Sequence, residues 1–260
     1  MTPGDERRSE RDDHFSSQCP FTVEHPVMTQ RWERLTFVHW SFDPSAVQPL
    51  VPEWLEVETF DGAAWVGVVP FFMRVATAGG HRLPWASHFC ETNVRTYVRD
   101  REGRSGIWFF SLDAARLGAV LTARTTYRLP YFWSRMRLEE RDREIEYTCR
   151  RRWPRRQTAT SRIHVRIGAP FDSADLSDRD HFLTARWVLF SAAGRRQRFA
   201  RAWHTPWPLH RAEPIVVDDR LITMTGLPSC RGQQPIAHYS PGVDVRIGRP
   251  ERYPSQSLPS

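Results

Sequence analysis

The feature that most limits the fold of this chain is a two-residue alternation of side-chain character. It is clearest from Phe89 to Arg99. One set of alternate positions holds Phe89, Glu91, Asn93, Arg95 and Tyr97, and the other holds Cys90, Thr92, Val94, Thr96 and Val98. Successive side chains of a β-strand point to opposite faces, so this pattern is typical of strands and not of helices. Similar alternation over 144–150 and 158–167 extends the prediction to most of the chain.

Turn residues between the alternating segments indicate how the strands connect. Asp61-Gly62 lies between the runs 56–60 and 63–70 and predicts a β-hairpin there. Many strands and few helices favour either an α+β sandwich or a closed antiparallel barrel. We expect a mainly β fold, a large antiparallel β-barrel-like sheet with about three peripheral helices.

Three capping residues mark the expected helices. Asp43 precedes Pro44 and predicts a short helix that ends before residue 49 or 52. Ser177 predicts the start of a helix over 178–192, with acidic residues in its first turn. Asp113 is expected to cap a third helix that runs to about residue 121.

Composition divides the chain into a central domain and two terminal segments. Residues 1–26 are polar and charged and predict a flexible leader, and residues 249–260, rich in Pro and Ser, predict a flexible tail. No linker or internal repeat divides the central part of the chain, so we expect a single domain over residues 27–248.

The charge composition limits the chemistry. All 37 Lys+Arg positions are arginine, and a side-chain Schiff base requires the primary amine of a lysine. A net charge of +7 suggests nucleic acid, yet 30 acidic residues are mixed with the arginines. The densest run, 150–156, is expected to be a solvated hairpin tip.

The cysteines and the missing motifs narrow the classes further. Four widely spaced cysteines fit reduced thiols in the cytoplasm, and no apolar run is long enough to predict a membrane span. The motifs of common hydrolases, P-loop NTPases and dinucleotide-binding proteins do not occur. His88 and Glu91 fall on opposite faces of a strand, so they are a poor metal pair. We therefore predict neither a metal nor a cofactor.

The strand from Glu91 to Tyr97 carries the main candidate site, and its polar face has two interpretations. A half-buried strand normally turns such a face to water. Alternatively, the face lines the interior of a barrel that binds a small polar ligand. Arg95 would then hold a carboxylate in a bidentate pair, and Glu91 would act as an acid or base if burial raised its pKa.

Three further positions have both a structural and a functional interpretation. Asp113 is either a helix cap or a general base at a strand end. His204 lies in a proline-rich aromatic loop, and His238 with Tyr239 lies in a loop before the last strand. Each histidine is more often a structural hydrogen-bonding residue, although ordered loops of this kind build pockets.

Six segments in order along the chain resemble the YqjF-like family of uncharacterised bacterial proteins. They are N-V-R-T-Y-V (93–98), G-I-W-F-F-S-L-D-A (106–114), Y-R-L-P-Y-F (127–132), A-R-W-V-L-F-S (185–191), H-T-P-W-P-L (204–209) and H-Y-S-P-G-V-D-V (238–245). The resemblance spans about 29–248. That family is similar in fold to acetoacetate decarboxylase, which implies a barrel-like sheet around a ligand cavity. The decarboxylase forms an imine with a pocket lysine, and this chain has no lysine to form one.

The leading hypothesis is a cytoplasmic protein that binds a small anionic or carbonyl-containing molecule in a barrel cavity. Arg95 would anchor this ligand, Asn93 and Tyr97 would hydrogen-bond it, and Trp108 and Phe110 would supply the apolar wall. Asp113 and Tyr239 are further ligand-binding candidates.

If the protein is an enzyme, general acid/base chemistry of the lyase or isomerase type is expected, with Glu91 and either His204 or His238 as proton carriers. The alternatives are a non-catalytic carrier and, less favoured, a nucleic-acid-associated protein. No membrane partner is expected, and association into a homo-oligomer is left open.

Overall fold

A computed structural model describes residues 16–77, 88–118, 120, 129–153, 159–193 and 196–253 of the chain. The mainly β prediction is confirmed. The described residues form one sheet of 14 strands. The strands are β1 (Met28–Phe42), β2 (Leu55–Val57), β3 (Thr59–Phe60), β4 (Ala63–Thr77), β5 (His88–Asp100), β6 (Ser105–Ala114), β7 (Tyr131–Arg141), β8 (Glu144–Trp153), β9 (Thr160–Pro170), β10 (Val188–Ala193), β11 (Arg196–His204), β12 (His210–Asp219), β13 (Ile236–Ile247) and β14 (Glu251–Arg252).

Helices are short and lie between strands. In the described ranges the α-helices with defined bounds are α1 (Pro44–Val47) and α2 (Asp178–Thr184), and single 3-10 turns occupy Gln48–Leu50, Ser173–Asp175 and Thr223–Thr225. The N-cap at Asp43 is confirmed, since its carboxylate accepts the backbone N–H of Ser45 at 2.8 Å. Ser177 and Asp180 form a reciprocal capping box at the start of α2. No helix among the described residues is long and apolar enough to cross a membrane.

Two helix predictions are wrong. Helix α2 ends at Thr184 and not at 192, because 188–193 pairs as strand β10 with β6 and β11. Asp113 is not a cap but a residue of β6, and its carboxylate binds side chains of β7 and β8. Leu117, Gly118 and Val120 are helical, and residues 119 and 121–128 lie outside the described ranges.

The strand pairings of the sheet form a closed circuit. Hydrogen-bonded neighbours run β6–β7–β8–β9–β12–β13–β1–β4–β5 and back to β6, and a second path joins β6 to β13 through β10 and β11. The expectation of a purely antiparallel sheet is wrong, because β6 pairs with β7 and β10 in parallel. Both β7 and β10 are separated from β6 by a long stretch of chain, as the parallel pairing of two strands requires.

Both faces of the central strands β1, β4, β5 and β6 are buried. Val38, Val68 and Val94 belong to a core cluster on one face, beneath β8 and β9. Phe37, Val69 and other residues belong to a second cluster on the opposite face. The ionisable face of β5 therefore turns to the interior, not to solvent.

A β-bulge in β1 changes which residues of this strand face inward. In β1 the pairing with β4 shifts between Glu33 and Val38, where Arg34 has a φ of 49°. Even-numbered positions such as Trp32 face the second core before this bulge, and odd-numbered positions such as Phe37 face it afterwards. Gly242 allows the close approach at this point, because a Cβ there would lie 2.2 Å from the carbonyl oxygen of Trp32.

The hairpin and the terminal segments complete the comparison with the sequence. Asp61 and Gly62 have φ values of 51° and 73° between β3 and β4, as the predicted hairpin turn requires. Within the expected leader, Val23 is buried. Within the expected tail, Glu251–Arg252 pairs with β11 as strand β14. Both segments therefore carry more structure near the domain than their composition predicts.

Candidate functional site

A cavity of about 250 Å³ lies against the inner faces of β1, β4, β5 and β6. Its polar lining consists of Gln30, Glu91, Asn93, Arg95, Tyr131, Thr184, Arg186 and His204. Its apolar lining includes Met28, Trp32, Leu35, Val69, Phe71, Met73, Val75, Phe89, Ile107, Phe109, Leu112, Leu129, Leu189, Trp207 and Ile247. The predicted lining residues Glu91, Asn93 and Arg95 are brought together here. A small number of polar groups in a mostly apolar cavity is the usual composition of a small-molecule site.

Strand β5 contributes three polar side chains to the cavity. Its pairing with β4 and β6 determines the direction in which these side chains point. Asn93 pairs with Val69 on β4 and with Leu112 on β6, and Arg95 pairs with Gly67 and Phe109. The register shift between Val94 and Arg95 leaves one extra residue in β6. Phe109 and Leu112, three positions apart, consequently both face the cavity.

Arg95 is the buried cation of this cavity. Its residue is 5% exposed, its Nη2 donates to the carbonyl of Leu183 at 3.4 Å, and its Nε has no hydrogen-bond partner among the described residues. The guanidinium also lies 5.2 Å from the centre of the Phe37 ring. A buried guanidinium with an unused N–H is prepared to bind an anion or a carbonyl oxygen.

The other buried charges have partners of opposite sign. Asp113 accepts two bonds from Arg151, at 2.9 and 2.6 Å. Asp100 pairs with Arg104 at 2.7 Å. Within the ranges that the structure describes, Arg95 has no acidic partner of this kind. Since an unpaired buried charge is strongly unfavourable, an anion bound beside this guanidinium would be stabilised by it.

Glu91 lies on the same face of β5 as Arg95 and is 2% exposed. The pKa of its carboxyl group is raised from 4.5 to about 8, mainly by burial; the hydrogen bond from Tyr131 lowers this pKa and the charge of Asp113 raises it. The Tyr131 hydroxyl donates to Oε2 at 2.9 Å. Glu91 is therefore mainly a neutral acid at pH 7 and can donate a proton.

His204 also lines the cavity, with its ring centre 4.4 Å from that of Trp187 and 4.7 Å from that of Trp207. Its Nδ1 is 2.6 Å from the carbonyl of Thr205. A carbonyl only accepts, so Nδ1 carries the hydrogen and Nε2 keeps a lone pair. Burial lowers the pKa of this imidazole to about 4, and the backbone hydrogen bond and Arg95 have smaller effects. A neutral imidazole with a free Nε2 lone pair is a proton acceptor.

Tyr97 lies behind Arg95 and not among the cavity-lining residues. Its hydroxyl donates to the carbonyl of Leu183 and is 2.6 Å from Nε2 of His39. Since the single hydroxyl hydrogen goes to the carbonyl, Nε2 of His39 donates to the tyrosine oxygen. Gly67 makes room for this imidazole, because a Cβ on Gly67 would lie 2.6 Å from its Cδ2 and Nε2.

Several predicted site residues lie elsewhere. Trp108 and Phe110 do not form the apolar wall. They line a separate groove beside Leu50 and Phe190, because alternation turns them away from Ile107 and Phe109. Asp113 is occupied by Arg151.

The two candidates on β13 also lie away from the cavity lining. The Nε2 of His238 is 2.9 Å from Oδ1 of Asp180 in α2. Tyr239 packs in the other core and has its ring centre 6.0 Å from that of His210. Neither side chain is placed to contact a molecule in the cavity.

The lining residues that sequence reasoning missed include Tyr131, Arg186 and Trp207. Tyr131 is in Y-R-L-P-Y-F, Arg186 in A-R-W-V-L-F-S and Trp207 in H-T-P-W-P-L, all segments that carry the family resemblance. All those segments except H-Y-S-P-G-V-D-V contribute to the cavity wall. The family resemblance therefore included these residues, but the sequence did not show which of their side chains point into the cavity.

Comparison with known proteins places the chain in a family. Residues 29–244 match the family DUF2071, described as an uncharacterized conserved protein. The chain belongs to this family. Its relatives include the uncharacterized protein YqjF of Bacillus subtilis (strain 168), which is 34% identical over 220 residues, 84% of this chain and 89% of that protein. The resemblance to the YqjF-like family is confirmed.

Solved structures confirm the acetoacetate decarboxylase-like fold of this DUF2071 protein. An acetoacetate decarboxylase-like enzyme from Sphingomonas wittichii RW1 superposes with a TM-score of 0.64 at 15% identity, over 88% of this chain and 93% of the other. The acetoacetate decarboxylase of Legionella pneumophila has a TM-score of 0.60 at 12% identity, with coverage of 93% and 95%. The enduracididine biosynthesis enzyme MppR, complexed with pyruvate, has a TM-score of 0.62 at 12% identity, with coverage of 90% and 92%.

Proposed function

We propose that this protein binds a small organic carboxylate with a carbonyl group in the cavity beside β5, and that Glu91 and His204 transfer protons on it. The observation that carries the proposal is Arg95, a cation 5% exposed that lines a cavity and has no acidic partner in the described ranges. A carboxylate would supply two acceptors in the geometry that a guanidinium prefers.

The cavity limits the size of the ligand. An apolar cavity of about 150 Å³ holds one benzene molecule, so by proportion 250 Å³ holds about ten non-hydrogen atoms. The many apolar side chains in the wall favour a ligand with a short hydrocarbon part. MppR was solved in complex with pyruvate, which makes short 2-oxo acids reasonable first probes.

The protonation states suggest the class of reaction. Glu91, with a pKa of about 8, donates a proton to a carbonyl oxygen, and the Nε2 lone pair of His204 accepts a proton from the neighbouring carbon. The product is an enol, and return of the two protons regenerates the ketone. This lyase or isomerase chemistry needs no imine, in keeping with a chain that has no lysine.

The cysteines and the surface charges support a cytoplasmic protein that does not act on nucleic acid. Cys19, Cys90, Cys149 and Cys230 are all free thiols, which fits a reducing compartment. Exposed arginines pair with acids across strands, as in Arg162–Glu146 and Arg166–Glu213, both at 2.8 Å. The acids offset the charges of these arginines, which argues against a role for them in holding phosphates.

The test combines binding and isotope exchange. Calorimetric titration with pyruvate and 2-oxohexanoate should show binding that Arg95→Met weakens by about ten-fold or more, the effect of one lost charge-assisted hydrogen bond. Exposed Arg201→Met is the matched control. NMR in D2O should show deuterium entering C3 of the bound 2-oxo acid, and Glu91→Gln should slow this exchange while binding remains.

The outcomes separate the two parts of the proposal. If Arg95→Met and the wild type bind equally, the anion site is wrong. Binding without exchange in the wild type would exclude the proton-transfer step and leave a carrier protein.

A further inference from the structure

A buried acid outside the cavity lining controls part of its charge. Glu58 lies between β2 and β3, is 8% exposed, and is held through its backbone N–H to the carbonyl of Tyr97. Its Oε1 accepts Nε of Arg99 at 2.9 Å and the hydroxyl of Ser105 at 2.6 Å. Its Oε2 is 3.5 Å from Nη2 of Arg186, a cavity-lining cation. Glu58 is therefore next to a cavity-lining cation without itself being a lining residue.

Arg186 and Arg95 both line the cavity, and both lie against the side chain of Tyr97. Their guanidinium carbons are 4.9 and 5.9 Å from the centre of the same ring, that of Tyr97. Burial lowers the pKa of Arg186, the charge of Glu58 raises it, and the charge of Arg95 lowers it. Two adjacent buried cations repel each other strongly unless an anion lies beside one of them.

The net charge of the buried groups around Arg95 and Arg186 matches a ligand with one negative charge. The charge of Glu58 offsets that of Arg186, and Glu91 is mainly neutral at pH 7. Arg99, which also contacts Glu58, is one-third exposed, so water screens its charge. One buried positive charge, that of Arg95, then remains for the ligand to match.

We propose that Glu58 is a specificity-determining residue that restricts the cavity to monoanions. This inference rests on the proposed anion site at Arg95. With Glu58 ionised, a second carboxylate near Arg186 would meet an arginine that is already neutralised and a nearby negative charge. Such juxtaposition of like charges is how binding sites reject the wrong ligand.

The variant Glu58→Gln tests the proposal with little change of shape. The amide keeps an oxygen for the donors of Arg99 and Ser105 and removes the charge beside Arg186. Dissociation constants are measured at pH 7 for butyrate against succinate and for hexanoate against adipate. These pairs match in carbon number and differ by one carboxylate. Exposed Glu56→Gln, two residues away, is the control.

The wild type and Glu56→Gln should prefer the monocarboxylate of each pair. In Glu58→Gln the ratio of the two constants should shift toward the dicarboxylate by about ten- to a hundred-fold, the value of one charge-assisted hydrogen bond. An unchanged ratio in folded Glu58→Gln would overturn the inference and leave the anion site intact. If no carboxylate binds the wild type or either variant, the proposed anion site itself fails.

A second variant covers the case in which Glu58→Gln does not fold. Arg186→Met removes the cation that Glu58 offsets, so the cavity gains no capacity for a second anion. The dicarboxylates should then remain excluded, and the monocarboxylates should bind more weakly because the charge of Glu58 now acts against that of Arg95. Monocarboxylate affinity equal to that of the wild type in Arg186→Met would contradict the charge balance.

Discussion

The buried carboxyl group of Glu91 makes a quantitative prediction about stability. Its pKa in the folded chain is about 8, mainly because burial disfavours the charged form, and its ordinary value is 4.5. Between these two values the unfolded chain has lost the proton and the folded chain has kept it. Stability therefore falls as the pH rises through this window, because the unfolded state binds fewer protons.

The size of the effect follows from the two pKa values. Each pH unit inside the window costs up to about 1.4 kcal/mol, so Glu91 lowers the free energy of unfolding by about 2.5 kcal/mol between pH 5 and pH 7. About another 1.4 kcal/mol is lost between pH 7 and pH 9, where the folded carboxyl also ionises. In Glu91→Gln the side chain does not ionise, and its amide oxygen can still accept a hydrogen bond from the Tyr131 hydroxyl.

The measurement is urea unfolding of the wild type and Glu91→Gln at pH 5, 7 and 9, followed by tryptophan fluorescence. The variant should gain stability relative to the wild type as the pH rises, by about 2 to 3 kcal/mol from pH 5 to pH 7. Other titrating groups are common to both proteins and cancel in the difference. Parallel stability profiles over this range would show that Glu91 ionises normally, and the assignment of a neutral acid would be wrong.

Two further substitutions test the packing behind the site, both by urea unfolding. Gly67→Ala places a Cβ 2.6 Å from the His39 ring and should cost about 1–3 kcal/mol, while Gly248→Ala, whose nearest atom is at 3.4 Å, should cost less. Equal losses would show that the imidazole moves freely. Asp113→Ala leaves Arg151 without its buried partner and should cost about 3–5 kcal/mol, and a loss below about 1 kcal/mol would show that the pair is solvated.

The sequence was sufficient for local features that depend on a few adjacent residues. The cap at Asp43, the turn at Asp61-Gly62 and the strand character of β5 depend on backbone preferences that neighbouring residues reveal. The helix after Ser177 was predicted too long because 188–193 pairs with distant strands, and tertiary pairing outweighs local propensity.

The candidate site could also be predicted only in part, because the sequence does not show which face of a strand points to the interior. Alternation correctly grouped Glu91, Asn93 and Arg95, but it did not say whether their face met water or a cavity. Trp108 and Phe110 were placed on the wrong side because alternation does not show which set of β6 faces inward. Arg186 reaches the cavity from the loop between α2 and β10, where no periodic pattern shows the direction of a side chain.

Strand β5 has interior on both sides, and this arrangement separates two tasks. Val94 and its neighbours on one face pack in a hydrophobic core, whereas Glu91 and Arg95 on the other face line the cavity. A lining residue can thus be exchanged while the supporting layer is left untouched. One backbone can in this way carry different side chains on its cavity face without a change of fold.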